Sequence, residues 1–185
     1  MKKVLSLDIS SSTIGWSLIE YDNQSFTLID YGYLRPPKSS KGSLSYRLNE
    51  TVNMITNLIS QHHPDEIAVE DYARRFTSGR STAHTIIILS TFNEVICLTA
   101  YRIMKQDVFR YPVSTIRAQV GSLFGVKIVS KNDIFPEIKQ RGNIFQAQLN
   151  RNNNIKKESM DVADAIAVGI THVLKRSPNA KRYRI

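Results

Sequence analysis

The sequence predicts an α/β protein, a mixed β-sheet covered by helices. Three observations carry that expectation. The chain opens with three β-rich runs, 3–9, 15–21 and 26–34, separated by turn residues in the pattern of an antiparallel meander. From residue 44 onwards, helical and extended patterns alternate. A hydrophobic fraction of 42% in 185 residues fills one core, and no repeat or shift in composition divides the chain.

The first run ends at Asp8 and Ile9 and is followed by Ser10-Ser11-Ser12-Thr13 and then Gly15, a polar turn between two strands. Residues 35–42, with Pro36-Pro37 and several Ser and Lys, read as a loop. Leu48, Val52, Ile55, Leu58 and Ile59 recur at helical spacing, and Pro64 marks the end of that helix. Glu66-Ile67-Ala68-Val69-Glu70 is a compact strand, and a long helix is expected over 81–104. Then follow a strand at 108–113, a short helix at 114–122 and a helix at 131–141 interrupted by Pro136. An Asn- and Gln-rich loop covers 143–157, and a last helix runs over 160–175. Residues 176–185 read as a basic tail, either solvated or a phosphate-binding arm.

With 25 Lys and Arg against 16 Asp and Glu, the formal charge is +9. Such a surplus serves solubility, and it also favours a polyanionic partner, because each cation that meets a phosphate releases a condensed counterion. Cys97 is the only cysteine, which excludes an intrachain disulfide and a Cys-rich zinc site. It lies in an apolar run and reads as a buried, inert thiol in a reducing compartment. The basic start of the chain passes at once into Asp8, which suits a strand rather than a leader peptide. No apolar run is read as long enough to span a membrane, so no membrane partner is expected.

Asp8 and Glu70 each end an apolar strand, where an acid sits at the rim of a sheet. In the last helix, Asp161 and Asp164 are three apart and share a face, with Glu158 nearby as a further candidate. Singly, each acid has a structural explanation: a turn-forming Asp, a strand-terminating charge, or an acid complementing a helix N-terminus. In combination, converging carboxylates are what a pair of hard divalent cations requires, and such a pair hydrolyses phosphodiesters.

The ordered set Leu7-Asp8-Ile9-Ser10, Thr13-Ile14-Gly15-Trp16, Ile67-Ala68-Val69-Glu70 and Met160-Asp161-Val162-Ala163-Asp164-Ala165 resembles the RuvC Holliday junction resolvases of the ribonuclease H-like superfamily, from residue 3 to about residue 174. The resemblance implies a ribonuclease H-like fold with a central mixed five-stranded sheet flanked by helices. It assigns 1–175 to the nuclease domain. It further implies symmetric nicking of four-way DNA junctions by a homodimer, with two Mg²⁺ ions, or Mn²⁺ in their place, held by Asp8, Glu70, Asp161 and Asp164. A catalytic lysine near the scissile phosphate falls at Lys131, with Arg117 as a second candidate. Bacterial resolvases of the family carry Asp-Pro-Gly where this chain has Asp8-Ile9-Ser10, which resembles a divergent phage, viral or organellar branch. The expected location is intracellular: the cytoplasm of a bacterium or of a phage- or virus-infected cell, or an organelle.

Beyond the acids, Tyr72, Arg74, Arg75, Phe76 and Arg80 mix cations with aromatics directly after Glu70. That mixture suits phosphate contact and stacking on an unpaired base. The helix expected at 81–104 is apolar nearly all round, so it must bury more than one face, within the monomer or across a two-fold axis. Three rival readings share parts of this pattern: a ribonuclease H-like nuclease acting on RNA or other branched DNA, a sugar-kinase or actin-like ATPase, and a non-catalytic junction-binding module. The ATPase needs a second lobe and a second phosphate loop that 185 residues do not hold.

Overall fold

The computed structural model describes residues 1–71, 83–152 and 154–185. Six strands form one sheet in the order β5-β4-β1-β2-β3-β6. β1 (Lys2–Ile9), β2 (Ile14–Tyr21) and β3 (Ser25–Leu34) are the antiparallel meander that the alternating runs predict. After α1 (Leu44–His62), β4 (Glu66–Glu70) returns parallel to β1. α2 (Ala83–Met104) then leads to β5 (Phe109–Tyr111), parallel to β4. The chain finishes with α3 (Val113–Phe124), α4 (Ile134–Arg141), α5 (Lys157–Arg176) and β6 (Arg182–Arg184). Pro136 is the third residue of α4, in the first turn, where its missing N–H breaks no helical bond.

The period-2 pattern of β1 sorts its side chains onto two cores. Leu5, Leu7 and Ile9 join Ile55 and Ile59 of α1 and Phe92 and Ile96 of α2 on one face. Val4 faces the other way, among residues of α3, α4 and α5. Asp8 and Ser6, by the same alternation, point to the α5 side. On β4, Ile67 and Val69 pack with α1 and α2 while Ala68 packs with α5, so Glu66 and Glu70 also lie on the α5 face.

Two sequence expectations change here, for the basic tail and for the apolar length of α2. Residues 182–184 pair in parallel with 25–27 of β3, and Ala180 and Ile185 are buried, so the basic tail closes the sheet as a sixth strand. The charges at Lys181, Arg182 and Arg184 point outward and disguise a short edge strand pinned by its apolar neighbours. The helix α2 buries one face only: Phe92, Ile96, Cys97 and Ala100 are inside, whereas Ile87, Leu98, Tyr101 and Ile103 remain exposed. By length and composition α2 is also apolar enough to cross a bilayer, contrary to the sequence reading. Here it packs along α1, and Arg110 of β5 makes a forked ion pair with its Glu94 at 2.7 and 2.8 Å.

Candidate metal centre

Small residues allow α5 to approach the sheet closely, and this approach assembles the site. A Cβ on Gly15 would lie 2.1 Å from the Asp161 carbonyl oxygen, so only glycine fits beneath the first turns of α5. Farther along, a Cβ on Gly169 would meet Ile19 and Ser6 at 2.7 Å. Between them, Ser6 and Ser17 hydroxyls share a 2.6 Å hydrogen bond, and Ser17 donates to the Ala165 carbonyl at 3.4 Å. Gly15 pairs with Asp8 across β1 and β2. The contact of Gly15 with α5 therefore sets Asp161 and Asp164 against Asp8.

The carboxylates of Asp8, Asp161 and Asp164 each offer an oxygen within 4.8 Å of the others, and all three residues are buried. Three like charges gathered this closely repel one another, and a cation between them removes the repulsion. The donor set is all oxygen, which fits a hard divalent ion such as Mg²⁺ and not a soft thiolate-seeking metal.

Glu70 stands on the same face, one step beyond the last paired residues, Leu7 of β1 and Val69 of β4. It is half-buried and does not belong to the three-acid cluster. Its backbone carbonyl accepts a hydrogen bond from Asn93 of α2 at 3.3 Å, which fixes the strand end. Glu158, the further candidate, is ion-paired with Arg35.

The turn after Asp8 is held from two sides. Ser10 Oγ accepts from the Thr13 N–H at 3.0 Å. Buried Arg47 of α1 donates to the Ser11 carbonyl and to the Pro37 carbonyl, both at 2.6 Å, with its guanidinium over the Phe92 ring. Arg47 thus ties the turn beside Asp8 to the 35–42 loop. The sequence reading missed it, because one Arg on a helix carries no signal of where its guanidinium ends.

The remaining candidates fare differently. Tyr72, Arg74, Arg75, Phe76 and Arg80 lie outside the described residues. Lys131 opens a 3-10 turn, Lys131–Asp133, ahead of α4. Arg117 of α3 donates to the Val129 carbonyl at 3.0 Å and so braces the loop before that turn.

A second buried acid was also missed. Glu66, at the other end of β4 from Glu70, accepts from His172 at 2.8 Å, from Lys2 at 3.1 Å, from Arg176 at 3.2 Å and from the Tyr21 hydroxyl. Burial raises its pKa, but the hydrogen bonds from Tyr21, His172 and Lys2 outweigh this and bring it down to about 2. Burial holds the His172 pKa below its ordinary value, against the pull of Glu66, so the ring is neutral at pH 7. With Nε2–H donating to Glu66, Nδ1 accepts from the Tyr111 hydroxyl at 3.0 Å. The sequence offered only an acid opening an apolar strand, with nothing local to mark its partners.

The relatives of the chain share this arrangement of elements. The family model for the crossover junction endodeoxyribonuclease RuvC matches residues 4–172. RuvC of Alkaliphilus metalliredigens is 29% identical over 170 residues, covering 91% of each chain, and RuvC of Caldicellulosiruptor saccharolyticus is 28% identical over 95% of this chain and 94% of its own. Among solved structures, Thermus thermophilus RuvC in complex with a Holliday junction substrate superposes with a TM-score of 0.68 at 14% identity, covering 96% of this chain and 98% of that one. The yeast mitochondrial Holliday junction resolvase gives 0.64 at 13% identity, covering 96% and 82%. With the family model spanning β1 through most of α5, and Asp8, Asp161 and Asp164 inside that span, the chain belongs to the RuvC family of crossover junction endodeoxyribonucleases.

Proposed function

We propose that this RuvC-family protein is a Holliday junction resolvase that nicks four-way DNA junctions symmetrically, with Asp8, Asp161 and Asp164, joined by Glu70, holding two Mg²⁺ ions that Mn²⁺ can replace. The observation that carries this reading is the convergence of three buried carboxylates at one end of the sheet, in a protein of charge +9. Bound there, the ions supply activation of a water and stabilisation of the leaving oxygen in phosphodiester hydrolysis. The chain's own part is to hold rigid oxygen ligands: Asp8 on the strand, Asp161 and Asp164 on a helix locked to that strand through Gly15. Arg47 keeps the adjoining turn in place. Lys131 is proposed to meet the scissile phosphate. Tyr72, Arg74, Arg75, Phe76 and Arg80, with Arg117, are proposed to contact the DNA around it.

Symmetric nicking needs two sites facing opposite strands. The exposed face of α2, with Ile87, Leu98 and Tyr101, is the surface we assign to a two-fold homodimer, since an isologous contact covers the same apolar patch on both copies. The nuclease domain in this reading is 1–175 together with the edge strand that 182–184 add to its sheet. Its place of action is inside a cell, a bacterial or infected-cell cytoplasm or an organelle.

The test uses the full chain with Mg²⁺ or Mn²⁺ on a synthetic four-way DNA junction, a linear duplex, a three-way DNA branch and a structured RNA. Paired nicks confined to the four-way junction, and lost in Asp8→Asn, are the expected result. Preferential cutting of RNA or of the three-way branch would replace the substrate assignment, and binding without cutting in either metal would overturn the nuclease reading.

A further inference from the structure

Beside the acid cluster lies a cavity of about 370 Å³, within the roughly 300–1,000 Å³ of small-molecule pockets. It opens between the outer end of β3, the last turns of α1, the 143–156 loop and the first turns of α5. Trp16, Tyr31 and Tyr33 line it with aromatic surface, and the exposed amides of Gln61 and Gln148 lie at its rim. We propose that this cavity holds an unstacked nucleobase of the DNA strand whose phosphate lies at Asp8, Asp161 and Asp164. The inference rests on the nuclease reading above and adds to it a base-recognition pocket.

Four observations lead there. First, the cavity lies close to the acid cluster, across the first turn of α5 from it. Asp8, Gly15 and Tyr33 lie in one row across β1, β2 and β3, which puts Tyr33 about 10 Å from Asp8 at two strand spacings. Val162, which follows Asp161, is part of the cavity wall. A nucleotide next to the phosphate at the acids therefore has its base within reach of the opening. Second, the lining joins flat aromatic surface to amides that both donate and accept, the combination that stacks on a base and reads its edge. Third, Gly32 keeps the wall open: a Cβ there would come within 2.8 Å of the Trp16 ring, so the absent side chain leaves the indole bordering the cavity. Fourth, the Arg35 guanidinium, ion-paired with Glu158, lies 5.0 Å from the Tyr33 ring centre, a group that a passing phosphate would draw from its carboxylate.

A peptide added along the edge of β3 is disfavoured. β6 covers only 25–27, but beyond it the strand is interrupted by the bulge at Ile29, and the Asp30 carboxylate takes the Tyr31 N–H at 2.8 Å. Both features blunt a free edge.

Trp16 is the sole tryptophan, so its emission reports directly on the cavity. The experiment titrates the full chain, in chelator, with a dye-labelled four-way junction, following anisotropy and Trp16 emission together. The nucleotides flanking the mapped cut are made abasic one at a time. Binding is expected to quench Trp16. A single abasic position should abolish the quench and slow nicking in Mg²⁺ roughly tenfold, as loss of one stacked base predicts. Gln148→Ala is expected to weaken discrimination among the four bases at that position. Junction binding with unmoved Trp16 emission, or a quench indifferent to every abasic position, overturns the pocket while leaving the nuclease reading intact. Absence of both binding and nicking overturns both.

Discussion

The two ends of α5 each take part in a buried acid centre, and the two centres are of opposite design. At the start of β4, Glu66 is surrounded by donors: Tyr21 from β2, His172 and Arg176 from α5, and Lys2 from β1. The charge is matched, its pKa is depressed to about 2, and the network ties α5 to the sheet. At the other end of α5, Asp161 and Asp164 meet Asp8 of β1. The first centre lowers the energy of the folded state by pairing a buried charge. The second gathers like charges at one point, an arrangement that a bound cation stabilises. Local rules of burial and pairing are followed closely where the helix is anchored and are stretched where carboxylates converge.

That contrast breaks down if the two ends respond alike to substitution. The largest expected effect is on activity: Asp164→Asn should reduce junction nicking by at least on the order of a thousandfold, as loss of a member of a cooperating catalytic set does. In chelator the same variant should melt at the wild-type temperature or a few degrees above it, since repulsion is relieved. A clear fall in its melting temperature would mean that Asp164 is structural.

Glu66→Ala should do the reverse. Removing the acid strands the buried partners Tyr21 and His172, at a cost of about 3 kcal/mol, or roughly 6–12 °C in melting temperature for a chain of this size. An unshifted thermal melt would remove the anchoring role.

Adding Mg²⁺ or Mn²⁺ should raise the wild-type melting temperature, by about 2.7 kcal/mol of stability at a hundredfold excess over Kd. Glu66→Ala should retain that gain and Asp164→Asn should lose most of it. Equal responses in the two variants would erase the distinction between the centres.

The smallest effect is in the pH dependence. Glu66 and His172 both have folded pKa values below their ordinary 4.5 and 6.5, so the unfolded chain binds more protons as the solution is acidified. Their contribution is complete above about pH 6.5. It falls first as unfolded histidine protonates, then again below 4.5, and the Glu66 share is gone near pH 2. Urea unfolding from pH 7 to 3 should show a shallower acid limb in Glu66→Ala, and parallel limbs would contradict the linkage.

The four candidate acids stood out in the sequence because each stands at an element boundary or at an i, i+3 spacing that periodicity exposes, and because they occur in a family order; three of them converge in the structure. The Glu66–His172 pair, 106 residues apart, had no such local pattern. Nor did Arg47, whose guanidinium reaches two loops that only the fold brings beside α1. The strand at 182–184 was masked by its own charges: three residues of alternating Arg and Tyr become a strand only because β3 offers a free edge.

By itself, the sequence determined the meander, the alternation of helices and strands after it, and which acids are candidates for a metal, because hydrophobic period and residue chemistry are local properties. Tertiary structure decided which acids actually meet. Gly15 and Gly169 let α5 settle onto β1 and β2, and that contact brings Asp161 and Asp164 to Asp8 while Glu70 remains at the rim. It also decided that α2 leaves an apolar face outward and that an aromatic cavity lies beside the acids. Both depend on which surfaces remain uncovered after packing, and no stretch of sequence encodes that alone.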